Sequence, residues 1–367
     1  MGRWILALLL AVSNAGLAAE HIVEAKPGAA NALIGSGVIA PGDRIVLAPG
    51  DHGALAITSL RFDVPVTLAA ASEGAVTLRH LVIRDSAGWH IEGLTVRPDP
   101  SASLVAMIEV HGSENITLER VTAMSAPDTS TWDATRWRAE AHNGITLSGR
   151  AITLRDSTFR NVEHGIISYA ENVLVEGNEV SLFSGDGIRG QGDGGRYFDN
   201  HVSTCVKVDD NHDDGFQAWS RNALGQPGRG VIRDVQIIGN RIENGDHPLS
   251  CSLQGIGLFD GFYEDWVIRD NVIIVNAWHG ITVMGGRRVE ITDNVVLDAR
   301  KEKPGAPWIT ITPHKDGRVP EASIIANNVT QPWEGGSRSP FRQPQPGVTL
   351  GPATVVQSLA EGLALIE

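Results

Sequence analysis

The chain has only two cysteines, Cys205 and Cys251, among 367 residues. A disulfide framework is thereby excluded, and a single bridge is the most these thiols can form. Each lies in a stretch longer than the repeat described below requires, which favours a bridge in an oxidising compartment. Two separately buried thiols fit the sequence equally well. Basic residues are scarce too: 30 Lys and Arg face 43 Asp and Glu, a formal charge of −13. A nucleic-acid partner calls for a basic footprint, and none is present. An anionic ligand stays open, because a bound cation reverses the local field. The chain also lacks an apolar run of the roughly 20 residues that a membrane span needs. Ile5–Val12, behind Arg3 and ahead of the small residues Ala15-Gly16-Leu17-Ala18-Ala19, reads instead as a secretory signal over residues 1–19. Losing Arg3 with it takes the charge from −13 to −14. No Cys marks the cleavage site for a lipid anchor, so a secreted or periplasmic protein is expected, without a membrane partner. Sustained helical periodicity is missing apart from Ala29–Val38, and no shift in composition divides residues 20–367, which read as one monomeric domain.

What the chain does have is a repeat. Asn143-Gly144-Ile145, His164-Gly165-Ile166, Asp186-Gly187-Ile188, Asp214-Gly215-Phe216, Gln254-Gly255-Ile256 and His279-Gly280-Ile281 are one phrase: polar, glycine, large apolar. Short strands precede them, at Val64–Ala69, Ala75–Leu78, His80–Arg84, Trp89–Val96, Met107–Val110 and Ile116–Val121. Strands so close together fit a sandwich, a barrel or a solenoid. A second marker decides, because Ser157, Asn178 and Asn200 each follow their glycine by 13 residues, and Asn240, Asn271 and Asn294 continue the series. Only stacked coils keep such a two-marker register. The fold class is therefore all-β, a parallel β-helix of coils about 22 residues long. Stacked Asn side chains are expected to bond along the axis, as in cross-β ladders. Insertions at Ser125–His142, Ser203–Asp213, Ser220–Gly230 and Asn244–Leu253 should wall one sheet, since insertions in a solenoid collect on one face. Lys301–Pro307 and Pro332–Pro346 read as loops, and Ala353–Glu367 as an element closing the open end of the stack.

Alternation along a strand fixes direction. With Ile145, Ile166, Ile188, Phe216, Ile256 and Ile281 inside, Asn143, His164, Asp186, Asp214, Gln254 and His279 form an outer row. A second row is Thr146, Ile167, Arg189, Gln217, Gly257 and Thr282. A third, Ser148, Tyr169, Gln191, Trp219, Phe259 and Met284, places aromatics as platforms on which sugars stack. His164, Tyr169, Gln217, Trp219, Phe259 and His279 are thus candidate substrate-binding residues. Asp186 and Asp214 fall on adjacent coils, about 4.8 Å apart along the axis. Asp213 adds a third carboxylate, and Asp209 or Asp210 is within reach of the inserted turn. Such like charges need a proton, a cation or an arginine between them. Oxygen ligands of this kind suit Ca²⁺; Asp–Gly turns with a solvated cluster are the plainer reading.

Pro41-Gly42-Asp43 followed by Ile45-Val46-Leu47 is similar to the opening of many secreted right-handed parallel β-helix proteins, polyuronate lyases among them. The run Asp186-Gly187-Ile188, then Cys205, then Asp213-Asp214-Gly215-Phe216 resembles the calcium-site segment of the family-nine pectate lyases. That resemblance implies Asp186, Asp213 and Asp214 as calcium ligands. The family's next carboxylate falls on Gln217, and its catalytic lysine falls on Gly257. An anionic polysaccharide is the implied substrate, cleaved by β-elimination with Ca²⁺ neutralising the uronate carboxylate. For the base, Arg189 projects from the same sheet, as in related families thought to use arginine; a salt bridge to Asp186 is the alternative. His164, His212 and His279 are further candidates by their ordinary acidity, while Lys207 is expected on a different sheet. Clustered aspartates also admit a hydrolase of polygalacturonase type, with Asp186 and Asp213 or Asp214 as acid and base. A uronate epimerase and a non-catalytic glycan-binding protein complete the alternatives.

Overall fold

The computed structural model describes residues 18–299, 306–332 and 345–366. Most of the expected signal segment, and most of the loops Lys301–Pro307 and Pro332–Pro346, lie outside the described residues. The rest winds into a parallel β-helix with three faces. The first face stacks Ala54–Thr58, His80–Arg84, the first parts of Ile108–Glu119 and Ile145–Arg155, Ile166–Ser168, Ile188–Gly190, Asp214–Trp219, Gln254–Asp260, His279–Met284 and Trp308–Thr312. Ile108–Glu119 and Ile145–Arg155 run on through a corner into the second face, so a single hydrogen-bonded sheet covers both. The third face is a separate sheet of 12 strands.

Register follows the expected rows. Ile145 pairs with Ile166, Ile166 with Ile188, Ile188 with Phe216, Phe216 with Ile256 and Ile256 with Ile281. All six are buried in one continuous core, where each such side chain stabilises by about 1.5–3 kcal/mol. The repeat glycines line the corner before this face. A Cβ on Gly144 would run into the carbonyl of Gly165, and one on Gly165 into the carbonyl of Gly187, while Phe159 and Val180 crowd the same points. Glycine recurs there because coils and core meet too closely for a side chain.

The second marker is a ladder of amides. Asn178 Nδ2 donates to Asn200 Oδ1 at 2.9 Å, Asn200 to Asn240 at 2.9 Å, Asn240 to Asn271 at 3.0 Å and Asn271 to Asn294 at 2.8 Å. Asn294 extends the series to Asn328 at 2.9 Å. The residue before each ladder position has left-handed backbone: Asp156, Gly177, Asp199, Gly239, Asp270, Asp293 and Asn327. Asp, Asn and Gly tolerate that conformation best, and it turns the chain from the second face into the third.

Three insertions join into one wall. Ser125–His142 contains an unexpected helix, Ala134–Glu140, capped by Asp133, whose carboxylate accepts from the Arg136 N–H. Trp132 and Trp137 meet edge to face at 5.3 Å and pack with Val206 and Val208 of the second insertion. Cys205 and Cys251 form a disulfide, with Cα atoms 5.5 Å apart, tying that insertion to Asn244–Leu253. Ser220–Gly230 lies at the opposite end of the strand Asp214–Trp219. The C-terminal helix Leu359–Leu363 differs from expectation. It lies on the flank of the third face, against Ile274, Val295 and Leu297, because those strands carry apolar side chains on their outer side as well.

Candidate active site

The first face carries the candidate residues where alternation puts them, with one shift. Asp186 and Asp214 sit on neighbouring coils at the start of their strands, and the Asp214 N–H donates to Asp186 Oδ1 at 3.0 Å. Both are fully buried. The other Asp186 oxygen accepts from Arg189 Nε at 2.5 Å, so Arg189 is engaged as the cation of Asp186. An arginine side chain stays charged, which suits this role and not that of a base. Burial raises the Asp186 carboxyl above its ordinary range, and Arg189 opposes the shift. His164 lies one coil back, and its Nδ1 accepts the Asp186 N–H at 2.7 Å. Burial, then Arg189, lower its pKa to about 3. It is neutral and structural, its ring filling the space over Gly185 where a Cβ would collide.

Of the three aspartates, Asp214 borders a cleft toward the later coils. Its Oδ2 accepts from Gln217 Nε2 at 2.9 Å. Its Oδ1 is buried without a hydrogen-bond partner and faces Gly257, where a Cβ would meet it. Burial, then the neighbouring Asp186, push its pKa well above the carboxylate range. Asp213 points the other way, accepting from Lys207 Nζ at 3.3 Å. Its pKa is raised to about 6, by burial first, with Lys207 opposing. Lys207 thus reaches the acidic cluster, contrary to the expectation from its sheet, because its stem spans the inserted turn. Asp209 caps its own loop through the Asn211 N–H at 2.9 Å.

A cleft of about 590 Å³ lies beside Asp214, toward the later coils. Asp214, His212, Gln217, Phe259 and His279 line it, together with Gln254 of the same outer row and with Asp260, Trp278 and Lys315, which lie outside the expected rows. Asp186, Arg189, Asp213, His164, Tyr169 and Trp219 do not. His279 Nδ1 lies 2.9 Å from Thr282 Oγ1, which accepts from Trp308 Nε1 at 2.9 Å. Trp308 Nε1 also donates toward His279 Nδ1 at 3.2 Å, which makes that nitrogen an acceptor. Phe259 meets the His279 ring edge-on at 4.9 Å. A bulge between Ala218 and Trp219 pairs Trp219 with Asp260 rather than Phe259, which shifts the third row. The Trp219 ring is covered by the Arg221 guanidinium at 4.7 Å. Tyr169 is 45% exposed, but on coils before the cleft.

Asp186 already holds Arg189 and Asp213 holds Lys207, and among the described residues no three His, Cys, Asp or Glu side chains are grouped to hold a metal ion. As placed, the three aspartates do not fit a calcium cage. They form a buried carboxyl array whose cationic partners are Arg189 and Lys207.

The family model for the right-handed β-helix region matches residues 143–306. No curated protein matches the sequence. Among solved structures, the A-module of a mannuronan C-5 epimerase from Azotobacter vinelandii aligns with a TM-score of 0.57 at 14% identity, covering 90% of this chain and 93% of that one. A mannuronic-acid-specific family 6 polysaccharide lyase from human gut microbiota gives 0.51 at 14%, covering 92% and 83%. A surface adhesin of Streptococcus pneumoniae gives 0.54 at 11%, covering 89% and 84%. At such identities the likeness speaks to architecture alone: the chain folds as a right-handed parallel β-helix.

Proposed function

We propose that the protein is an enzyme acting on an acidic polysaccharide, abstracting the proton at C5 of a uronate residue and expelling the 4-linked sugar by β-elimination. The observation that carries this reading is the Asp214 carboxyl, which lines the cleft, has its pKa pushed well above the carboxylate range by burial, and keeps one buried oxygen without a hydrogen-bond partner against Gly257. A carboxylic acid held neutral donates a strong hydrogen bond to a developing negative charge. Here it supports the uronate carboxylate as C5 loses its proton, with Gln217 and Gln254 beside it. His212, exposed on the cleft rim, takes the proton as the imidazole base. His279 serves the departing oxygen. Lys315, paired with Asp260 at 2.6 Å on the same rim, orients a neighbouring carboxylate. Calcium enters no step.

Hydrolysis with Asp186 as acid or base is less favoured, since Asp186 is held by Arg189 and does not line the cleft. Epimerisation shares the C5 abstraction and differs only in returning the proton to the opposite face. Two of the solved proteins of similar fold, an epimerase and a lyase of uronate polymers, perform those two reactions. The test uses mannuronan, mixed alginate and polygalacturonate, read by ultraviolet absorbance of unsaturated ends, by reducing sugar, and by deuterium uptake at C5 from heavy water. Unsaturated ends are expected. Saturated fragments would establish hydrolysis, deuterium without cleavage would establish epimerisation, and binding without turnover would leave a glycan-binding protein.

A further inference from the structure

A second cluster of reactive side chains lies on the first face, several coils before the cleft and outside the chemistry above. Glu109 projects outward from Ile108–Glu119 and is 7% exposed. Its Oε2 lies 2.7 Å from His111 Nε2 and its Oε1 lies 3.0 Å from His80 Nε2. A carboxylate at Nε2 fixes the proton there, so His111 Nδ1 is an acceptor. That Nδ1 is 3.5 Å from Ser148 Oγ on the next coil. Ser148 Oγ also lies 3.4 Å from the Val110 carbonyl, an alternative acceptor, and 3.4 Å from the Gly112 N–H, which donates to it. Serine, imidazole and buried carboxylate stand in the order required of a nucleophile, its base and the group that orients the base. Gly112 is left-handed at φ 57°, which places its N–H beside the Ser148 hydroxyl. The 3.5 Å contact is long, as such contacts often are before substrate tightens them.

We propose that Ser148, His111 and Glu109 form a second hydrolytic site that removes small acyl esters from the same acidic glycan. The identity of the glycan rests on the reading above; the ester chemistry does not. Two neighbours point to a sugar ester. On the preceding coil Arg84 pairs directly with His111, offering a cation to a uronate carboxylate. On the following coil Tyr169, 45% exposed, stands beside Ser148 just past the paired residues Leu147 and Ser168, offering a ring for a sugar to stack on. The side chains around Ser148 (Glu109, His111, Thr146, Arg84) are polar, which suits acetyl rather than a long acyl chain. In the first step Ser148 Oγ bonds to the acetyl carbonyl carbon while its proton passes to His111 Nδ1. The carbon–oxygen bond to the glycan then breaks, and the sugar oxygen takes that proton from His111. Water repeats the sequence on the acetyl-serine, releasing acetate and restoring the hydroxyl.

The test measures acetate release by the purified protein from p-nitrophenyl acetate and from O-acetylated mannuronan. Labelling with a fluorophosphonate is mapped in parallel by mass spectrometry. We expect release from both substrates, label on Ser148, and a loss of at least about 100-fold in Ser148→Ala and His111→Asn. Glu109→Gln should lose less. Labelling is read on the unaltered chain, so a misfolded variant does not obscure the answer. Absent acetate release, release unaffected by Ser148→Ala, or label only elsewhere would overturn the proposal. Elimination is scored separately on de-acetylated polymer, so failure of either activity is distinguishable from failure of the other.

Discussion

Arg189 Nε donates to Asp186 Oδ2 at 2.5 Å, and the same carboxylate accepts the Asp214 N–H through its other oxygen at 3.0 Å. One ion pair therefore fixes the position of the residue on the next coil. Removing one partner of a buried pair leaves an uncompensated charge, at a cost of about 3–5 kcal/mol. Arg189 retains some solvent contact, so Arg189→Ala is expected at the lower end, about 3 kcal/mol in chemical denaturation. Adding Asp186→Asn should recover part of it. A loss below about 0.5 kcal/mol would show that the pair does not hold the floor of the sheet.

Asp214→Leu keeps the approximate shape but carries no donor. Stability at neutral pH should be retained and kcat/KM should fall by about 100- to 1000-fold, the range seen when a preorganised donor is lost. In the native enzyme the protonated form is the active one, so activity should decline as pH rises through the elevated pKa of Asp214. Gly257→Ala should act from the other side, its methyl group occupying the space before Asp214 Oδ1 and raising KM. Unchanged steady-state kinetics in both variants would remove Asp214 from the reaction.

How much of this was legible in the sequence follows from the period. Ile145, Ile166, Ile188, Phe216, Ile256 and Ile281 mark a single inward position, and every outer row follows from it by alternation. The Asn ladder was legible through Asn294, whereas Asn328 was not, because the loop Lys301–Pro307 breaks the spacing ahead of it. The bulge after Ala218 leaves no mark on composition, so the pairing of Trp219 with Asp260 was hidden. The helix Ala134–Glu140 buries only Trp137, too little for a periodic signal. Lys207 was assigned by its backbone, while its function depends on the reach of its stem. Asp260 and Lys315 line the cleft from residues 55 apart in sequence, a pairing that no local pattern announces.

His164 gives the protein an acid-sensitive point. Its folded pKa of about 3 lies below the ordinary 6.5, so between these values the unfolded chain binds more protons than the native one. Stability from this group is complete above about pH 6.5 and is lost as pH falls toward 3. His164→Gln should flatten the stability profile across that window. Asp213, raised to about 6, acts in the opposite sense: native protein retains its proton, and stability falls as pH rises from about 4 to 6. An acid limb unchanged in His164→Gln would assign the loss to other groups.

Reduction of Cys205–Cys251 should cost about 2–4 kcal/mol, given the long loop it closes. The cost should appear first in the wall, since Trp132, Trp137, Val206 and Val208 form a core separate from that of the solenoid. Hydrogen exchange after mild reduction should rise over 125–142 and 203–213 before it rises in the Asn ladder. Simultaneous loss of protection would show wall and solenoid to be one cooperative unit.

Chelator-stripped protein should keep its melting temperature and its activity, because Asp186 and Asp213 are already met by Arg189 and Lys207. A rise in melting temperature with millimolar Ca²⁺ that disappears in Asp214→Asn would restore the metal by linkage.

The Asn ladder gives the molecule a direction. From Asn178 to Asn328 every amide nitrogen hands its hydrogen to the oxygen of the next coil, so the side-chain dipoles point one way along the axis, like links that close in one sense only. A coil can then be added or removed cleanly only as a whole period, from one glycine to the residue before the next. Excising residues 165–186 rejoins His164 to Gly187 and lets Ser157 meet Asn200 where it formerly met Asn178. Length is therefore an adjustable property of this architecture, and it changes in steps of one coil.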